Sequence, residues 1–163
     1  MDFRPWMIEA AYDFIRSSRL LWDNNLYSPS MVNVGVGLEI LFKSFNAEID
    51  GPQSTTDEPY MAEHYRYAGA HTHNLSELFD KIPKAIRNQL GIQPYRDYLI
   101  DKFDTLFVSA RYPYEKEALS GGTEAIIDVA EEIIAKIIAF YKLEGCDDKW
   151  IRDFPDVVIT GNK

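Results

Sequence analysis

Residues 123–143 read TEAIIDVAEEIIAKIIAFYKL, and this stretch decides the fold class. Ile126, Ala130, Ile133, Ile137 and Phe140 recur every three or four positions, with Ile127, Ile134, Ile138 and Tyr141 alongside. That period belongs to a helix with a wide apolar face, not to a strand. Thr123, preceded by Gly121 and Gly122, is a natural N-cap, and Gly145 marks the expected end. A face this broad has to be covered by other helices.

Those helices are legible upstream. Tyr98, Leu99, Phe103, Leu106 and Phe107 give one stripe over about 94–109, which Arg111-Tyr112-Pro113-Tyr114 terminates. Leu75, Leu78 and Phe79 predict a short helix that starts near 72–74 and ends or kinks at Pro83. A further piece runs from Lys84 to Leu90 and stops at Gly91. Ser28 and Pro29 predict the start of a helix that continues to Ile49, with Val34, Leu38, Leu41 and Phe45 as its stripe. Gly35 and Gly37 each cost that helix about 1 kcal/mol against alanine. Close approach of a neighbouring helix, from this chain or a second subunit, is the expected return. The first helix spans 5–23, with Trp6, Ala10, Phe14 and Leu21 on its apolar face and Ala11 and Ile15 beside them. The expectation is an all-α, antiparallel four- to five-helix up-and-down bundle over 1–145. A tail, 146–163, packs through Trp150, Ile151, Phe154 and the run from Val157 to Ile159 on the bundle or on a partner. A polar loop, 50–60, interrupts the chain.

Bulk properties narrow the function. The chain has 163 residues, a net charge of -9 and one cysteine. That length suits one core that needs no disulfide or metal. Cys146, in an acidic stretch that reads as exposed, is a poor nucleophile, because neighbouring carboxylates raise a thiol pKa. No apolar run reaches the roughly 18 residues of a membrane span, and the first residues lack the pattern of a signal peptide. A cytoplasmic protein without membrane contact is expected. The acidic balance opposes duplex binding, which draws on a basic footprint. Lys81, Lys84, Arg87 and Arg96 form a local basic group, with a solvated helix face as its simpler reading.

The candidate chemistry centres on histidine. His64, His71 and His73 fall within ten residues. His71 and His73, two apart, do not share one helical face, and no HExxH pattern is present, so no metal is expected. Histidine moves protons near neutral pH, and arginine offers a planar fork of donors to phosphate oxygens. An Arg–His pair is the minimum equipment for attack of a ribose 2′-hydroxyl on the adjacent phosphorus without a metal. Arg66 and Arg111 are the basic residues in reach. The competing reading is structural: a histidine before a short helix often caps it, and Arg and Tyr near a proline often pack.

Three segments, in order, carry a resemblance. They are Gly37-Leu38-Glu39-Ile40-Leu41-Phe42-Lys43, then His71-Thr72-His73-Asn74-Leu75 followed by Leu78, then Ala110-Arg111-Tyr112-Pro113. Over roughly 5–142 the chain resembles the HEPN domains (higher eukaryotes and prokaryotes nucleotide-binding). The segments match that family's apolar helix with a Glu and a Lys four residues on, its "HDL..L" turn and its "RYP" ending. The resemblance implies an antiparallel bundle, commonly a homodimer. It also implies a metal-independent endoribonuclease of a toxin–antitoxin or phage-defence system, or a nucleotide-binding domain beside a nucleotidyltransferase-type partner. The family's catalytic Arg and His are separated by four to six intervening residues, which Arg66 with His71 or His73 satisfies. In the HDL/RYP type the corresponding pair is His73 and Arg111, with Asn74 in place of the usual Asp. The implied site is His73, Asn74, Arg111 and Tyr112 for nucleotide or RNA, with Arg66 and His71 contributing, and no cofactor. The alternative is a non-enzymatic dimeric interaction module that uses Gly35 and Gly37 or the apolar tail.

Overall fold

A computed structural model describes residues 3–49, 65–67, 72–112, 114–116 and 122–155, without the side chains of 49, 65–67 and 99–102. The described residues are mainly helical, as the apolar periods predict, with one short two-stranded ribbon. The longest helix, α7 (Glu124–Leu143), starts where Thr123 Oγ1 accepts the Ala125 N–H. It ends in a left-handed turn at Gly145 (φ +83°), where Cys146 N–H bonds the Tyr141 carbonyl and Gly145 N–H bonds that of Lys142. This pairing satisfies carbonyls that a helix end leaves open. All nine apolar positions assigned to its face are buried.

Against α7 lie α1 (Pro5–Asp23) and α2 (Tyr27–Lys43), themselves packed as a hairpin. The turn between them is closed by Asn25 (φ +62°), with Leu26 N–H bonded to the Leu21 carbonyl. Helix α2 therefore begins one residue before Ser28, after Leu26, and no side chain caps it. The buried face of α1 also differs from the expected one. Ile8, Ala11, Ile15 and Ser18 are inside, while Trp6 and Phe14 stay exposed. Both stripes have helical spacing, but only the one with small residues lets α2 approach. A Cβ on Gly37 would stand 2.7 Å from Ile15 Cγ1 and 3.1 Å from the Ala11 carbonyl oxygen. On the far side of the hairpin, Arg19 meets Glu131 with two of its nitrogens, at 3.1 and 2.8 Å, and also reaches Glu124 and Asp128. These carboxylates recur at helical spacing, so one guanidinium ties α1 to a full ridge of α7.

Helix α2 stops at Lys43, short of the expected Ile49. A 3-10 turn (Ser44–Asn46) follows, then β1 (Ala47–Ile49), paired antiparallel with β2 (Tyr65–Tyr67). Ser44 Oγ donates to the Leu41 carbonyl at 2.7 Å, a local bond that competes with helix continuation. The buried Arg4 donates from Nε to the Ala47 carbonyl at 2.9 Å and anchors the exit.

The expected helix over 94–109 is two helices, α5 (Tyr95–Phe103) and α6 (Leu106–Arg111). The break falls at Asp104 because α3 (Leu75–Lys81) takes that residue's acceptors. The Asp104 carbonyl accepts the Leu75 N–H at 2.9 Å and its carboxylate accepts the Ser76 N–H at 2.8 Å. An orphan end of α3 is thus satisfied by a residue 28 positions away, at the expense of one helical bond in α5–α6. Helix α4 (Lys84–Gln89) ends at Gly91 as expected. Finally α8 (Lys149–Asp153) returns the tail to the core: Ile151 is buried, and Trp150 and Phe154 pack on Tyr12. The run from Val157 to Ile159 lies outside the described residues. Cys146 is buried, contrary to its exposed reading, and desolvation more than the acidic neighbours raises its thiol pKa. Among the described residues no helix is long and apolar enough to cross a membrane.

Among the described residues, Arg87 Nε, Gln93 Oε1 and the Tyr141 hydroxyl are buried polar atoms without a hydrogen-bond partner, and Tyr141 is the one in the core. Tyr141 is fully buried, and although Ser44 and the Arg4 backbone lie near its hydroxyl, none of the described groups makes a well-formed hydrogen bond to it. Burial pushes its pKa up to about 12. The folded value exceeds the unfolded one of about 10, so this contribution is complete below pH 10 and lost as pH rises towards 12. At about 1.4 kcal/mol per unit, the fold should lose up to roughly 3 kcal/mol over that window through this group. Tyr141→Phe should remove that loss and gain about 1 kcal/mol at neutral pH by deleting an unpaired hydroxyl. Urea unfolding at pH 8 and pH 11 checks both. Equal pH sensitivity of the two proteins would refute the assignment.

Candidate functional site

The corner at Asp104 sets the site's geometry. It ties the start of α3 to the start of α6, so His73, just before α3, lies beside Phe107, in the first turn of α6. The two ring centroids are 5.3 Å apart. Phe107 and Arg111 are four residues apart on α6 and share a face. The Arg111 guanidinium stands over the Phe107 ring at 4.9 Å and over Tyr112 at 5.2 Å, and its Nη2 donates to the Tyr112 hydroxyl at 3.1 Å. One phenylalanine therefore holds the candidate histidine and the candidate arginine side by side.

Helix α2 supplies the other wall. Gly35 lets α6 come close: a Cβ there would stand 3.1 Å from the Phe107 nitrogen and 3.2 Å from its Cα. One turn further along α2, Glu39 reaches His73. Its Oε2 lies 2.9 Å from His73 Nδ1, and its Oε1 accepts from Lys43 Nζ at 2.6 Å. Ionised, this carboxylate only accepts, so Nδ1 carries the proton and Nε2 is the nitrogen left to act on a ligand. The Glu39 side chain is 12% exposed and that of His73 is 52% exposed. The carboxylate is thus the inner member of the pair and the imidazole the outer one. Arg111 is exposed, and among the described residues no carboxylate pairs with it.

The structure thus unites His73, Arg111 and Tyr112. It uses Asn74 elsewhere, at the start of α3. The Asn74 N–H donates to Thr72 Oγ1, its carbonyl accepts the Leu78 N–H, and its side-chain amide donates to Glu77 at 3.2 Å. Arg66 lies in β2, where its backbone pairs with Glu48; its side chain, like His64, His71 and Pro113, is outside the described residues. The basic group at 81–96 is partly neutralised. Arg87 Nη1 at 3.0 Å and Arg96 Nε at 2.6 Å both meet Asp80, whose carboxyl is held below its usual range, chiefly by the Arg96 hydrogen bond. An apolar groove of about 300 Å³ between α1 and α7, bordered by Tyr12, Arg16, Glu131 and Phe154, shares no residue with the His73 surface.

Two members of the site, Glu39 and Phe107, were not among the expected site residues. Phe107 had an available signal, its four-residue spacing from Arg111. Glu39 pairs with a residue 34 positions away, which no local pattern reports. No family model, curated protein or solved structure matches this chain.

Proposed function

We propose that the chain is a HEPN-like helical bundle that binds a nucleotide, or the sugar-phosphate backbone of RNA, at the surface of His73, Arg111 and Tyr112. The observation that carries this reading is the Phe107 ring, which packs against both His73 and Arg111, each of them exposed to solvent. A guanidinium presented this way suits phosphate oxygens. An imidazole held at Nδ1 by a carboxylate suits proton transfer at Nε2. On RNA, Nε2 of His73 would take the proton of a 2′-hydroxyl as its oxygen attacks the adjacent phosphorus. The bond to the 5′-oxygen would break, and that oxygen would leave with a proton supplied by solvent water. Arg111 would offset the charge on the phosphoryl oxygens. An interaction module built on Gly35 and Gly37 is less favoured, because both glycines are covered within this chain, by α6 and α1.

The test is a binding titration of ATP and of labelled RNA in EDTA, with gel analysis of the RNA afterwards. Arg111→Ala should weaken binding about 10- to 100-fold, the effect of one charged hydrogen-bonding group. His73→Ala should abolish any cleavage while EDTA leaves it intact. If neither ligand binds, or both variants bind as the wild type does, the reading is wrong.

A further inference from the structure

Beyond Arg111 the same surface continues as a run of rings. Tyr112 meets Tyr114 edge to face, with centroids 6.0 Å apart. Tyr114 is 80% exposed and Tyr112 is 37% exposed. A lone surface tyrosine is ordinary. Here two adjoin a guanidinium that already stands over one of them. His73, Phe107, Arg111, Tyr112 and Tyr114 thus form one contiguous strip in which flat rings alternate with positive or protonatable groups.

We propose that Tyr112 and Tyr114 form a stacking subsite for an unpaired nucleobase, and that this subsite makes the ligand a single strand. The inference rests on the nucleotide-binding reading above and assigns its base-recognition half. A nucleobase needs a π-face to lie on, and a neighbouring cation takes its phosphate. Bases inside a duplex have both faces covered by their neighbours, so only an unpaired base can use an exposed tyrosine. Charge points the same way. The chain carries a net charge of -9, and two of the four cations in its other basic group converge on Asp80. Attraction through many phosphates is therefore poor here, whereas stacking is indifferent to net charge.

The experiment compares three labelled ligands by fluorescence anisotropy: a short single-stranded oligoribonucleotide, the same strand annealed to its complement, and an abasic strand of equal length. The base-bearing single strand should bind best. Its log affinity should fall with log salt at a slope of about -0.7, the value for one phosphate contact on a single strand. Tyr114→Ala, at a position too exposed to threaten the fold, should weaken it about 5- to 150-fold, the range for one stacked base. Tyr114→Phe keeps the ring and should bind as the wild type does. If the duplex or the abasic strand binds equally well, or Tyr114→Ala changes nothing, the stacking subsite is overturned. Loss of binding in Arg111→Ala would then still uphold the phosphate reading. If no strand binds, the subsite is overturned, and the nucleotide reading then stands or falls by the ATP titration.

Discussion

Gly37→Val is expected to destabilise the fold by about 3 kcal/mol or more, at the upper end of what overpacking a core costs. A single Cβ at this position already falls 2.7 Å from Ile15 Cγ1, 3.1 Å from the Ala11 carbonyl oxygen and 3.2 Å from the Ile15 nitrogen. Two of these three atoms are backbone of α1 and cannot rotate away, so the hairpin itself must open. Alanine would recover about 1 kcal/mol of helix propensity, which offsets part of its own clash. Valine adds two more carbons and recovers less. Stabilities of 5–15 kcal/mol are typical, so the loss is a large fraction of the total. For a chain of this size it corresponds to a fall of roughly 6–12 °C in Tm. Thermal unfolding followed by circular dichroism measures it. An unchanged Tm would mean that α1 and α2 do not approach at Gly37.

This contact also explains where the sequence misleads. In α7 every determinant is local: the apolar period, the Thr123 cap and the Gly145 exit sit within one stretch, and sequence and structure agree. In α1 the expected face includes Ala11 and Ile15, which are buried, but it centres on Trp6 and Phe14; the turn of the helix towards Ile8 and Ser18 is set by a glycine on another helix. The break at Asp104 is likewise decided elsewhere, by the open N–H groups of α3. The halt at Lys43 depends on Arg4 and on a partner strand. The site divides in the same way. His73, Arg111 and Tyr112 stand in short motifs, which is why the sequence singles them out as candidates. Glu39 was legible only as part of a helix motif, because its bond to His73 spans two separate elements. Asn74 shared the motif of His73, yet its side chain serves the terminus of α3. Position in a motif fixed where the backbone goes, while the direction of each side chain followed from the nearest unsatisfied partner.

Phe107→Ala is expected to weaken ligand binding nearly as much as removal of Arg111, although Phe107 presents no polar group. The ring contacts the His73 imidazole at 5.3 Å and the Arg111 guanidinium at 4.9 Å. Without it, both side chains regain rotamer freedom that binding must then remove, at about 0.5–1.5 kcal/mol for each. The cation–π contact of Arg111 is lost as well, worth about 0.5–1 kcal/mol at an exposed position. Together these predict a loss of roughly 1.5–4 kcal/mol, or a factor of about 10 to several hundred in Kd. Glu39 would still hold His73 Nδ1, so arginine should bear more of the disorder than histidine. Phe107→Leu separates this effect from packing. The close approach to α2 at Gly35 is made by the Phe107 backbone and the Leu106 side chain, which leucine at 107 leaves in place while it removes the aromatic face. It should keep most of the stability and still lose much of the binding. Calorimetric titration of each variant, alongside its Tm, gives the two quantities independently. If Phe107→Leu binds as the wild type does, the ring is packing and not the element that aligns His73 with Arg111.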